Sequence, residues 1–342
     1  MTFRFFRRIA AGLALVASSA VPGAALAGAS DTGAAAGASG GWAPVVLPGT
    51  HQRQLTMTPD GPCCTLFVSV PEGKAPAEGW PVIYILDGNS VFGTIRDEIR
   101  RESADTYEAP AIVVAIGYPG DAPWNDAQRQ HDLTPALPAG RTAPGPAGRN
   151  IPDIGGAKPF LDYLIARVKP LIERDFPVDR TRQTLAGHSL GGLFTLYAAF
   201  TRPGAFQTYA AMSPSIWYGD RYILDIEKQT RALRTGASPH ARMLLTIGGC
   251  EQTPGECDPG VPGSAQKNYW LQWQGRMVDD VRKMADRLND GDSGIDATAY
   301  VFVDEHHESV LGGSIARLVR FALSPAERMP APQRPDRAGE KR

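Results

Sequence analysis

Short runs that are apolar at nearly every position recur along the chain: "PVIYIL" at 81–86, "AIVVAIG" at 111–117, "TYAAM" at 208–212, "MLLTIG" at 243–248 and "ATAYVFV" at 297–303. Strands apolar on both faces belong to a parallel sheet covered by helices on each side. Between them lie segments with helical spacing, over 90–101, 157–175, 190–201, 221–234, 267–289 and 313–323. Ahead of this alternation, "HQRQLTM" and "CCTLFVSV" alternate apolar and polar residues around Asp60-Gly61, which predicts an antiparallel hairpin. The whole pattern predicts one doubly wound α/β domain, mostly parallel, over 43–324. The loop 119–155, rich in Pro, Gly, Ala and Arg, is long enough to expect a functional or mobile element.

The amino terminus breaks the pattern. Arg4, Arg7 and Arg8 precede an apolar stretch from Ile9 to Val21, and Ala25-Leu26-Ala27 follows. These features predict a secretory signal peptide over 1–27, cleaved after Ala27. A membrane anchor is disfavoured, because Ser18, Ser19 and Pro22 interrupt a segment already short of the ~20 apolar residues that a span requires. Residues 28–42 read as a flexible lead and 325–342 as a flexible tail. Export also suits the cysteines: Cys250 and Cys257 enclose a loop and can pair, while adjacent Cys63 and Cys64 leave several states open. No zinc-ligand spacing is present, and no metal or cofactor is called for.

Composition adds little except exclusions. The 342 residues are 43% hydrophobic, enough for a sizeable core, and the formal net charge is -1. No basic run suggests a nucleic-acid surface, and no further span follows the leader.

The chemistry concentrates at "TLAGHSLGGLFTLYAAF", residues 184–200. Gly187-His188-Ser189-Leu190-Gly191 reads Gly-x-Ser-x-Gly between a predicted strand at 182–186 and a helix from Leu190, the context in which a strained turn presents a serine nucleophile. Side chains at 187 and 191 are expected to collide with the neighbouring strand and helix. The helix start aims free N–H groups at the hydroxyl, and the Leu190 N–H is placed to bind an oxyanion.

A serine hydroxyl needs a base, and in this fold the chain order is Ser, acid, His. His51, His131 and His188 precede Ser189, and His240 falls at the amino end of a strand, the wrong side of the sheet. His306 and His307 remain, on the loop after the last strand. The acid should follow "MLLTIG", where Glu251 comes first, Asp258 second and Glu256 is also available; Asp304 and Glu305 are fallbacks. The second oxyanion donor should come from "ILDGNSVFG", giving the Asn89 N–H, with the Gly88 N–H as competitor.

Several phrases together, "PVIYILDGN", "IGY", "RQHDLTP", "GGAKPFLDYL", "KPLIERDFPVDRTRQTLAGHSLGGLFTLYAAF", "SPSIWY" and "DEHHESV", resemble the esterase branch of the α/β-hydrolases. Within it they are similar to periplasmic esterases of trilactone catecholate siderophores such as enterobactin and salmochelin. The resemblance covers roughly 43–324 and implies the α/β-hydrolase fold, a serine esterase acting through an acyl-enzyme, and a small-molecule substrate that carries the iron. It favours His307 as the base, although the family's Glu-Asn-His-Gly-Ser stands here as Glu305-His306-His307-Glu308-Ser309. It also implies that Arg129 holds catecholate groups, by charge and by stacking. Trp217 and Tyr218 either line the same pocket or pack in the core. The rival readings are an esterase or acyltransferase for another acyl group, feruloyl or a small thioester, and a hydrolase fold that binds a siderophore without cutting it.

Overall fold

The computed structural model describes residues 42–56, 63–105, 107–143, 153–233, 239–252, 276–290 and 293–324. The leader expected over 1–27, most of the lead expected over 28–42, the turn expected at Asp60-Gly61, Glu256, Cys257, Asp258, residues 267–275 of an expected helix and the tail expected over 325–342 lie outside them. Residues 42–46 belong to a separate amino-terminal unit and are exposed; the rest belongs to the unit that begins at Leu47.

Eight strands form one sheet in the order β1-β2-β4-β3-β5-β6-β7-β8. They are β1 Thr50–Thr56, β2 Cys63–Ser69, β3 Trp80–Leu86, β4 Ile112–Gly117, β5 Val178–His188, β6 Thr208–Met212, β7 Ala241–Gly248 and β8 Ile295–Phe302. β1, β2 and β4 pair antiparallel, and every pair from β4 through β3 to β8 is parallel. The parallel strands β3, β4 and β6 are buried at every position, as their unbroken apolar runs require.

The two faces separate with period two. Val82, Tyr84 and Leu86 join one apolar cluster with the helices α3 (Ala157–Tyr163), α4 (Lys169–Asp175), α5 (Leu190–Thr201), α6 (Tyr218–Ala232) and Met277–Asn289. Ile83 and Ile85 join the other, against α1 (Gly88–Ala104) and the C-terminal helix Val310–Leu323. Ala115, Ala186 and Ala210 stand on that second face, where small side chains let the helices sit close to the sheet.

Three elements differ from the pattern. The helix expected over 157–175 is continuous but carries a π turn at Leu164–Val168 between α3 and α4. α6 begins at Tyr218, yet Gly219, Asp220 and Arg221 are left-handed, so regular helix starts only beyond them. The loop expected over 119–155 contains α2, Asp126–Leu133, begun by the Asn125 side chain accepting from the Gln128 N–H at 3.1 Å. Its polar sequence has no apolar stripe to announce it, and the cap does that work. No helix among the described residues is long and apolar enough to cross a membrane.

Candidate active site

The chain leaves β5 at His188 and enters α5 at Leu190 with a single residue between, Ser189, at φ 59 and ψ -115. This strained conformation persists because the surrounding backbone holds it. The Ser189 N–H donates to Met212 O (2.9 Å), and Ser189 O accepts from the N–H groups of Leu193 (3.0 Å) and Ser215 (3.1 Å). A Cβ at Gly187 would lie 2.4 Å from Gly191 O, so glycine is obligatory there. The expectation for Gly191 is corrected: its Cβ would meet Asp87 and Leu86 atoms only at 3.5 Å, ordinary contact. The second crowded position is Gly192, whose Cβ would come within 2.8 Å of Pro214 Cα where α5 crosses the turn after β6.

His307 reaches this serine from the loop after β8. Its Nε2 is 3.0 Å from Ser189 Oγ and its Nδ1 is 2.6 Å from Glu251 Oε2. Glu251 sits in a short 3-10 turn directly after β7, and that turn packs on the β8 loop: the Cys250 N–H donates to Glu305 O at 3.1 Å. Both side chains are withdrawn from water, His307 8% and Glu251 2% exposed. The other oxygen of Glu251 accepts from Ser213 Oγ (2.7 Å) and from the Gly248 N–H (2.8 Å). A carboxylate saturated in this way can only accept at Nδ1, so the imidazole proton sits there and Nε2 is left to accept from the serine. His306 points away, exposed, its Nδ1 accepting from backbone N–H groups of its own turn. Cys250 is in a disulfide, and Cys257, its expected partner, is not among the described residues.

His188, which precedes the serine in the chain, touches the same site. Its Nε2 lies 2.8 Å from His307 O, and the two rings pack 4.6 Å apart. Burial, then the neighbouring His307 ring, push its pKa well below the ordinary value, so it stays neutral and donates Nε2–H to that carbonyl. Ser213 and Ser215 were also missed: Ser213 braces Glu251, and Ser215 Oγ is 3.4 Å from Ser189 Oγ.

A cleft of about 110 Å³ opens over Ser189, lined by Trp124, Asp126, Arg129, His188 and Glu308. Arg129, which the resemblance offers for substrate binding, lines the cleft, and its charge is taken. Its Nε and Nη2 donate to the two oxygens of Asp87 at 2.9 and 3.0 Å, and its guanidinium lies 5.3 Å from the Trp124 ring centre. Burial alone would lower the Arg129 pKa, and the Asp87 carboxylate more than reverses that. Asp87 is left-handed, φ 58, at the start of α1. Trp217 is corrected: it packs in the apolar core beside Tyr218, and Trp124 occupies the cleft instead. Asn89 spends its side chain on the loop after β4, donating to Tyr118 O (3.0 Å) and Gly120 O (2.9 Å) and accepting from the Tyr118 N–H (2.7 Å). Its backbone N–H in the first turn of α1, and the Leu190 N–H at the start of α5, are both at the carboxyl edge of the sheet. A larger cavity, about 480 Å³, lies at the opposite, amino edge between Arg182, Arg242 and His240, and contains none of these groups.

The family model described as "Putative esterase" matches residues 62–284. The chain is 36% identical to the ferri-bacillibactin esterase of Bacillus subtilis over 82% of its own length and 91% of the relative's. It is 35% identical to the siderophore triacetylfusarinine C esterase of Aspergillus fumigatus, over 80% and 93%. Among solved structures, the siderophore hydrolase EstA of Aspergillus nidulans superposes with a TM-score of 0.71 at 30% identity, over 83% of this chain and 98% of that one.

Proposed function

The chain belongs to the "Putative esterase" family, and from that membership we propose that it is a serine hydrolase that opens the ester backbone of siderophores and so loosens their hold on iron. The observation that carries the reading is the line Ser189 Oγ to His307 Nε2 to His307 Nδ1 to Glu251, at 3.0 and 2.6 Å. The substrates named for the relatives support the substrate class.

Ser189 Oγ attacks the ester carbonyl carbon while its proton passes to His307 Nε2, and the electron pair of the carbonyl becomes the oxyanion. The N–H groups of Leu190 and Asn89 receive that charge; one such donor is worth ~10²–10³ in rate. Collapse expels the alcohol oxygen, which takes the proton from His307 and leaves an acyl-enzyme on Ser189. Water then attacks the acyl carbon with His307 as base, releasing the acid and restoring the serine. Glu251 holds the imidazole in the competent tautomer and stabilises its charged form. The iron belongs to the substrate and takes no part in these steps. The leader expected over 1–27 from Arg4, Arg7, Arg8 and the apolar stretch after them is the ground for placing this work outside the cytoplasm.

The test is Ser189→Ala on enterobactin, with linear products separated by chromatography. Loss of ~10⁶ in turnover is expected, the size seen when a triad nucleophile is removed. Unchanged cleavage in the variant sinks the assignment.

A further inference from the structure

Any ester reacting at Ser189 must come down into the cleft, so the charges lining it act on every substrate. Among the described residues, one cation lines it, Arg129, and Asp87 neutralises that cation through both of its oxygens. His188 is buried and neutral there. Asp126 and Glu308 remain, both exposed and both at the cleft, one on α2 and one beside the catalytic histidine. Asp126 also favours the start of α2 by its charge, which explains why the helix tolerates it without removing it from the cleft. The charge that the described residues leave at the mouth is therefore negative, where recognition of an anion would require it positive.

Siderophore esters divide by charge. Three catecholate dianions around one ferric ion leave three net negative charges, whereas three hydroxamates around the same ion, or free catechols with their protons on, leave none. We infer that Asp126 and Glu308 make this cleft select siderophore esters without net negative charge and reject the ferric tris-catecholate. The inference rests on the siderophore-esterase reading above and narrows its substrate class. Repulsion between solvated charges acts over a Debye length of about 8 Å at physiological salt, so it falls on kcat/KM and shrinks as salt is added.

The test measures kcat/KM near neutral pH for three probes, iron-free enterobactin, ferric enterobactin and ferric triacetylfusarinine C, at low and high NaCl. The wild-type protein is compared with the double variant Asp126→Asn, Glu308→Gln. The expected result is a preference of ~10-fold or more for the two uncharged probes at low salt, as like-charge steering of this kind produces. Salt should raise only the ferric enterobactin rate, and the double variant should narrow the gap between the two enterobactin forms. Parity or preference for ferric enterobactin overturns the inference, as does a ferric rate that falls with salt, or a gap that survives the double variant. If none of the three is cleaved while p-nitrophenyl butyrate is, the siderophore reading fails and takes this inference with it.

Discussion

Replacing Glu251 by glutamine changes one atom and should stop the reaction. The side chain keeps its volume, and its amide oxygen can still accept from Ser213 Oγ and the Gly248 N–H, now 2.7 and 2.8 Å away. The amide nitrogen is then forced to face His307 Nδ1, which lies 2.6 Å from the present carboxylate oxygen. An NH₂ group there donates, so Nδ1 must accept and the imidazole proton moves to Nε2. That nitrogen, 3.0 Å from Ser189 Oγ, then carries a hydrogen and cannot take the serine proton. In a comparable serine triad the wrong tautomer lowers kcat by ~10⁴, equivalent to about 5.4 kcal/mol of barrier. Folding should change little, because both bonds to Glu251 Oε1 survive. Glu251→Ala, by contrast, strands two buried donors at a cost of about 1–3 kcal/mol each. The assay is steady-state hydrolysis of p-nitrophenyl butyrate by Glu251→Gln, with thermal unfolding of both variants. A Glu251→Gln enzyme that unfolds like the wild type and keeps kcat within ~10-fold of it would refute the tautomer argument.

Two further outcomes follow from the geometry around the serine. Gly187→Ala should cost several kcal/mol or prevent folding, since its Cβ falls 2.4 Å from Gly191 O, whereas Gly191→Ala, at 3.5 Å, should fold; equal melting temperatures for the two would contradict the contact analysis. His188 should make the protein acid-sensitive. Its folded pKa lies well below the ordinary value, so between about pH 6.5 and the folded pKa the unfolded chain binds a proton that the native state does not. Stability is then lost as pH falls, by up to about 1.4 kcal/mol per pH unit from this one group. His188→Gln should flatten that limb in denaturant titrations at stepped pH, and parallel slopes in the two proteins would count against it.

The strands and the nucleophile turn were legible because each is written locally. "PVIYIL" and "AIVVAIG" bury both faces and can only be inner strands, and Gly-His-Ser-Leu-Gly between a strand and a helix has one common use. α2 was not legible, because its sequence carries no apolar stripe. Ser213 was not legible either, since nothing in "SPSIWY" says that its hydroxyl will meet a carboxylate 38 residues later. The choice between His306 and His307 lay beyond local reading too: neighbours in sequence differ only in which way the turn after β8 aims them.

The order of apolar runs, the glycine-flanked serine and the histidine after the last strand follow from the amino-acid sequence, because period, turn chemistry and chain order are properties of neighbouring residues. Partnership is a property of space. Folding brings Glu251 against Ser213 and gives Arg129 to Asp87 rather than to a ligand. It also sends Trp217 into the core in place of the cleft. Each of these contacts joins separate elements across the sheet, where hydrogen-bond reach of about 3 Å is decided by packing and no local pattern records it.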